Sequence, residues 1–75
     1  MNLQEIVSVR PDVMHGTPVF AGTRVPIQAL LDYLEAGESL DEFLDDYPSV
    51  TREQAIQFID LAGRQAVADA VARSA

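Results

Sequence analysis

The chain has 75 residues, twelve Asp or Glu against five basic side chains, all of them arginine, and no cysteine, for a formal net charge of −7. That length holds one domain, 1–75, and excludes a second core, while the lack of cysteine excludes disulfides and thiolate metal sites. The charge repels phosphate backbones and draws basic surfaces, and it also lies within the range of about 2–8 that keeps a small domain soluble.

So short a chain buries roughly 60% of its unfolded surface and has no staple, so a partner or a second copy of itself, most simply a dimer, is expected to complete it. No apolar run approaches the ~20 residues of a membrane span, and the N-terminus shows no basic stretch leading into an apolar one. A cytoplasmic location is the expectation.

In chain order, residues 6–25 read as extended. Ile6-Val7-Ser8-Val9 is β-branched and alternates, which predicts a short strand, broken by Arg10-Pro11-Asp12. His15-Gly16-Thr17 predicts a turn and Pro18-Val19-Phe20 a second short strand, with Pro18 suited to an edge because it cannot donate to a ladder. Ala21-Gly22-Thr23 turns again, so the segment is expected to form a small hairpin or a pair of bridged segments.

Residues 26–63 read as three helices. Pro26 fits the first helical position, Ile27, Leu30, Leu31 and Leu34 follow the spacing of a buried face, and Gly37 supplies a left-handed cap. Ser39 predicts a cap for the second helix, with Glu42 three residues on completing a capping box; Leu40, Phe43, Leu44 and Tyr47 form its apolar face, and Pro48 ends it. Thr51 and Gln54 predict a capping box for the third helix, with Val50 placed to staple onto Ala55. Ala55, Ile56, Phe58, Ile59, Leu61 and Ala62 cover more than one stripe, which asks for neighbours on two sides. Gly63 weakens the rod, and the tail 64–75 continues the helical pattern beyond the reach of so small a core. The expected fold class is mainly α: a short N-terminal β-hairpin followed by a three-helix bundle of helix-turn-helix type.

Chemistry is sparse. His15, the one histidine, reads as a solvated turn residue, and no second histidine or cysteine joins it as a ligand. The acids at 38, 41, 42, 45 and 46 lack the spacing of a calcium loop and read first as a solvated helix face. Neither Gly-containing turn has the spacing of a phosphate loop. No catalytic residue, metal ligand or cofactor site is expected, and the chain is not read as an enzyme.

The segment that fixes a particular backbone path is Gly16-Thr17-Pro18-Val19-Phe20-Ala21-Gly22-Thr23-Arg24-Val25-Pro26. Arg24 follows its tight turn. It is expected either to cap carbonyls or pair with a helix acid, or to offer a fixed fork to a carboxylate or phosphate.

With Ile27, this stretch resembles the G-x-P-V-x-x-G-T-R-[IV]-P-V signature of the domain-of-unknown-function family 433, through Gly16, Pro18, Gly22, Thr23, Arg24 and Pro26. The likeness runs on through Leu34-Glu35-Ala36-Gly37, Ser39-Leu40-Asp41-Glu42 and Tyr47-Pro48-Ser49-Val50-Thr51, over about residues 6 to 62. Thr17 stands where lysine is frequent, which removes a positive charge near Arg24. The resemblance implies a homeodomain-like helix-turn-helix fold and a likeness to VapB-type antitoxins paired with a PIN-like ribonuclease toxin. It carries over no catalytic residue.

Three functions fit these observations. In the first, the chain is an antitoxin that binds and neutralises a PIN-like ribonuclease, through an acidic face (Asp41, Glu42, Asp45, Asp46) or the C-terminal helix (Ile59, Ala62, Ala66, Val67, Ala70, Val71). In the second, it is a DNA-binding regulator of its own operon, reading bases with Arg52, Gln54 and Gln57 and gripping phosphates with Arg10 or Arg24. The acidic helix and the thin supply of arginine weigh against that role for the isolated chain, though DNA binding within a complex stays compatible with the first. The third is a dimerisation or adaptor module.

Overall fold

The computed structural model describes residues 2–74. Asn2 opens a short helix α1, Leu3–Ile6, its side chain accepting the Glu5 amide at 3.1 Å. The sequence pattern predicts Ile6 in a strand; the Asn2 cap closes one helical turn there instead, and strand β1 is only Val7–Ser8. Strand β2, Val19–Phe20, pairs antiparallel with it in the register Val7 to Phe20 and Ser8 to Val19. The other side of β2 is also occupied: the Phe20 amide donates to Val25 O and the Ile27 amide to Pro18 O, both at 3.0 Å. β2 is therefore the middle of three extended segments, and Pro18 lies just before it rather than on an edge.

Three further helices follow: α2 (Ile27–Glu35), α3 (Leu40–Asp46) and α4 (Arg52–Ser74). Pro26 is the cap of α2, one position earlier than the sequence predicts. At its other end Gly37 has φ +80°, the Gly37 amide donates to Leu34 O and the Glu38 amide to Tyr33 O. These two bonds satisfy the last carbonyls of α2 as a Schellman cap. Ser39 caps α3 by accepting the Glu42 amide at 3.1 Å. At α4 the capping box closes both ways, with Gln54 N donating to Thr51 Oγ1 at 3.0 Å and Thr51 N to Gln54 Oε1 at 3.3 Å.

The core is made by Ile6, Phe20, Val25, Ile27, Leu30, Phe43, Val50 and Ala55, contributed by every layer of the chain up to the first turn of α4. Phe20 meets Phe43 and Phe58 at ring separations of 6.1 and 6.0 Å, Tyr33 meets Phe43 at 5.4 Å, and Tyr47 meets Phe43 at 5.0 Å. These tilted and edge-on pairs suit the ring quadrupoles and add about 0.5–1.5 kcal/mol each beyond the area buried. α2 buries Ile27 and Leu30 but leaves Leu31 and Leu34 about 40% exposed, so half of its expected buried face is only partly covered by the described residues.

α4 is one uninterrupted helix of 23 residues, and Gly63 does not divide it. At 1.5 Å per residue it is about 34 Å long, which sets the 41 Å long axis of the molecule. α1 packs against it, and burial ends at Ala62; every described residue from 63 to 74 is exposed. No helix among the described residues is long and apolar enough to cross a membrane.

Candidate functional site

The signature segment owes its shape to a small set of bonds. The Thr23 amide donates to Phe20 O at 3.0 Å, closing a four-residue turn whose third residue, Gly22, has φ +78°. A positive φ there is the reason for glycine. The Thr23 hydroxyl donates to Phe20 O at 2.8 Å and accepts the Val25 amide at 3.0 Å, so the side chain locks both arms of the turn. Gln54 of α4 donates to Ala21 O at 2.9 Å and ties the turn to the helical body.

A second constraint precedes it. Met14, His15 and Gly16 have φ of 50°, 56° and 82°, three consecutive residues in the left-handed region. The turn is closed by Gly16 N donating to Val13 O and Thr17 N to Met14 O. Left-handed backbone costs a non-glycine residue about 1–2 kcal/mol, so Met14 and His15 are held there by their surroundings. The sequence pattern places a turn here but does not reveal its hand. His15 itself is exposed, as a turn residue should be.

Between these two constrained turns lies a cleft of about 740 Å³. Val13, Val19, Val25 and Pro26 give it apolar walls, and the hydroxyl-bearing residues Ser8, Tyr47 and Ser49 also line it. Its charged residues are Arg10 and Arg24. Arg24 caps no carbonyl and pairs with no acid among the described residues. Arg10 makes a long, exposed contact of 3.5 Å with Asp12.

The other expected site residues separate into those the fold uses and those it leaves outward. Arg52 forms an ion pair with Asp41 across the α3–α4 turn. Gln54 is consumed by its cap and by Ala21, and Gln57 is half-buried. Of the five side chains expected to reach nucleic acid, Arg10, Arg24, Arg52, Gln54 and Gln57, only Arg24 is both outward and without a partner among the described residues. On α3, Asp46 accepts the Tyr33 hydroxyl at 2.5 Å, and that hydrogen bond, with burial second, pushes the phenol from 10.0 up to about 12. Glu42 and Asp45 remain exposed, so the expected acidic face is half engaged inside the protein. Among the described residues no group of three or more His, Cys, Asp or Glu is placed to hold a metal ion.

On α4 the C-terminal set comes together. Ile59, Ala66, Val67, Ala70 and Val71 lie along one side of the rod, Val67 and Val71 being 65% and 63% exposed, while Ala62 is half-buried at its border. Ile56, 45% exposed, and Gly63 extend the same stripe. The spacing 56, 59, 63, 66, 70 is the 3-4 alternation of a helix seam, and it adds Ile56 and Gly63 to the residues expected to meet a partner.

Residues 7–62 match the family described as a protein of unknown function, DUF433. A relative in Sinorhizobium fredii (strain NBRC 101917 / NGR234), the uncharacterized protein y4eO, is 41% identical over 51 residues, 68% of this chain. The chain spans 23% of that protein's length. No solved structure matches.

Proposed function

Because the chain belongs to the DUF433 family, in a relative of which the same segment is one part of a longer protein, we propose that it is a binding module rather than a catalyst, and that it acts as an antitoxin. In this reading it is VapB-like, with α2–α4 in a homeodomain-like helix-turn-helix arrangement. It masks a PIN-like ribonuclease toxin in the cytoplasm and does so as a dimer or as a larger assembly with the toxin. The observation that carries the reading is the apolar stripe of α4, which starts beside the body at Ile56 and Ile59 and runs clear of it from Gly63 to Val71, where none of the described residues covers it. A helix presented in this way lays its apolar side into a groove on a partner. The net charge of −7 supports the choice of partner, since a surface that binds RNA is basic and opposite charges speed encounter. DNA reading through α4 loses support, because Arg52 and Gln54 already have partners inside the fold.

Co-expression of the tagged chain with the protein encoded beside it, followed by size-exclusion with light scattering and a ribonuclease assay, tests the reading. A stable complex with suppressed ribonuclease activity is expected, and truncation after Gly63 should release the partner while leaving the body folded. A chain that emerges alone, or a truncated chain that still inhibits, would sink the antitoxin role or the role of α4 within it.

A further inference from the structure

We propose that the cleft between the two constrained turns is a binding site for a phosphate monoester of a small organic molecule, held by Arg24 and Arg10. The site is separate from the α4 stripe and stands whether or not that stripe binds a toxin.

The first argument is charge. The chain carries twelve acids and five arginines, yet this cleft is lined by two arginines and by no carboxylate. Arg52 and Arg64 are held by Asp41 and Asp60, whereas Arg24 has no hydrogen bond or ion pair among the described residues. The contact of Arg10 with Asp12 is long, and both side chains are well exposed, so an anion in the cleft displaces it readily. An unpaired guanidinium carried on a rigid turn has no internal partner to give up and can close its fork on an oxyanion.

The second argument is the number of donors. The two arginines are joined on the lining of the same cleft by Ser8, Tyr47 and Ser49, three residues that carry hydroxyls. A carboxylate has two oxygens and one charge and leaves most of these donors idle. A phosphate monoester presents three oxygens and a charge of about −1.5 to −2 near pH 7, matching two arginines.

The third is size and rigidity. A cleft of about 740 Å³ exceeds what bare phosphate fills and lies within the range of small-molecule sites. Val13, Val25, Pro26 and the Tyr47 ring supply an apolar bed for the organic part. Both turns that shape it are set in left-handed backbone, at Gly22 and at Met14 to Gly16, so the cleft exists before the ligand arrives. A nucleic-acid strand is the poorer occupant, because its further phosphates would run over an acidic surface, beginning with Asp12.

The test is an amide-shift titration of the full chain by NMR with phenyl phosphate, with inorganic phosphate, benzoate and a single-stranded oligoribonucleotide as separate arms. Phenyl phosphate is expected to saturate and to move the amides of Ser8, Arg10, Gly22 to Val25 and Ser49; inorganic phosphate should move the same signals with about tenfold weaker affinity. Arg24→Gln should weaken phenyl phosphate by about tenfold or more, and Arg24→Lys by less, since it keeps the charge and loses the fork. Arg10→Gln provides an independent variant at a solvent-exposed position, and Asp12→Asn should tighten binding. The proposal is overturned by the absence of saturable shifts or by full affinity in both glutamine variants. It is equally overturned if benzoate binds as tightly as phenyl phosphate, or if the oligoribonucleotide binds more tightly than either.

Discussion

Residues 6–62 and residues 63–74 both carry apolar side chains, Ile, Leu, Phe, Val and Ala in the first and only Ala and Val in the second, and use them in opposite ways. In the first region Ile6, Phe20, Leu30, Phe43 and Ala55 are wholly enclosed; in the second Val67 and Val71 face water. The family match ends at residue 62, and so does burial. The difference is one of geometry as well as of side-chain size. Up to Phe58 and Leu61 the rod of α4 lies against the sheet, α1 and the aromatic cluster; beyond them the body has simply ended. A helical sequence continuing past the edge of its own core has its apolar side available for something else.

The contrast can be broken most forcefully at Phe20, the ring that joins the signature segment to both α3 and α4. Phe20→Ala should cost about 3–5 kcal/mol, a large share of the stability of so small a domain, and urea unfolding followed by circular dichroism should show a body largely unfolded without denaturant. A midpoint close to that of the parent would mean that the two regions are held together by something other than this cluster. Gly22→Ala is the next step down. Its φ of +78° is needed for the turn, so the substitution should lower stability by about 1–2 kcal/mol, read as a fall in the thermal midpoint.

Gly63→Ala sharpens the contrast from the other side. Nothing lies within 4 Å of the place a Cβ would take, and the backbone there is ordinary helix. Alanine should therefore strengthen the rod by up to about 1 kcal/mol, slowing hydrogen exchange in residues 64–72 while leaving exchange in β1 and β2 unchanged. Equal slowing in both regions would show that they open together.

The smallest expected effect depends on pH. Tyr33 ionises at about 12 in the folded protein against an ordinary 10.0, because its hydroxyl is bound to Asp46. A phenol whose folded value is raised contributes stability that is complete below the unfolded value and disappears as pH climbs through the folded one. Between pH 10 and about 12 the parent should therefore lose stability more steeply than Tyr33→Phe, measured as unfolding midpoints across that window. Parallel curves would mean the bond to Asp46 is not made in solution.

Local chemistry was the legible part of this molecule. Thr51 with Gln54, Ser39 and Gly37 perform the capping that their spacing predicts, because a cap involves residues three or four apart; Glu42 gives Ser39 its amide, but its carboxylate makes no return bond to the Ser39 amide among the described residues. What depends on distant partners was hidden. Leu31 and Leu34 sit at correct helical spacing, but no pattern states how wide a surface the rest of the chain can offer α2. Arg52 looked outward until Asp41 was seen beside it, and Arg10 joins Arg24 only because β1 and the loop after it fold back along β2. The α1 turn escaped because a four-residue helix has no period to read.

The aromatic cluster has an optical consequence. The chain has no tryptophan, three phenylalanines and two tyrosines, and both tyrosines touch Phe43 and each other, with rings 5.9 Å apart. Near-ultraviolet absorption and emission therefore originate wholly in chromophores packed on the core, with no signal from the protruding helix to dilute them. Tyrosine emission is a label-free gauge of whether the body is intact, and since Tyr47 also borders the arginine-lined cleft, the same light reports when that cleft fills.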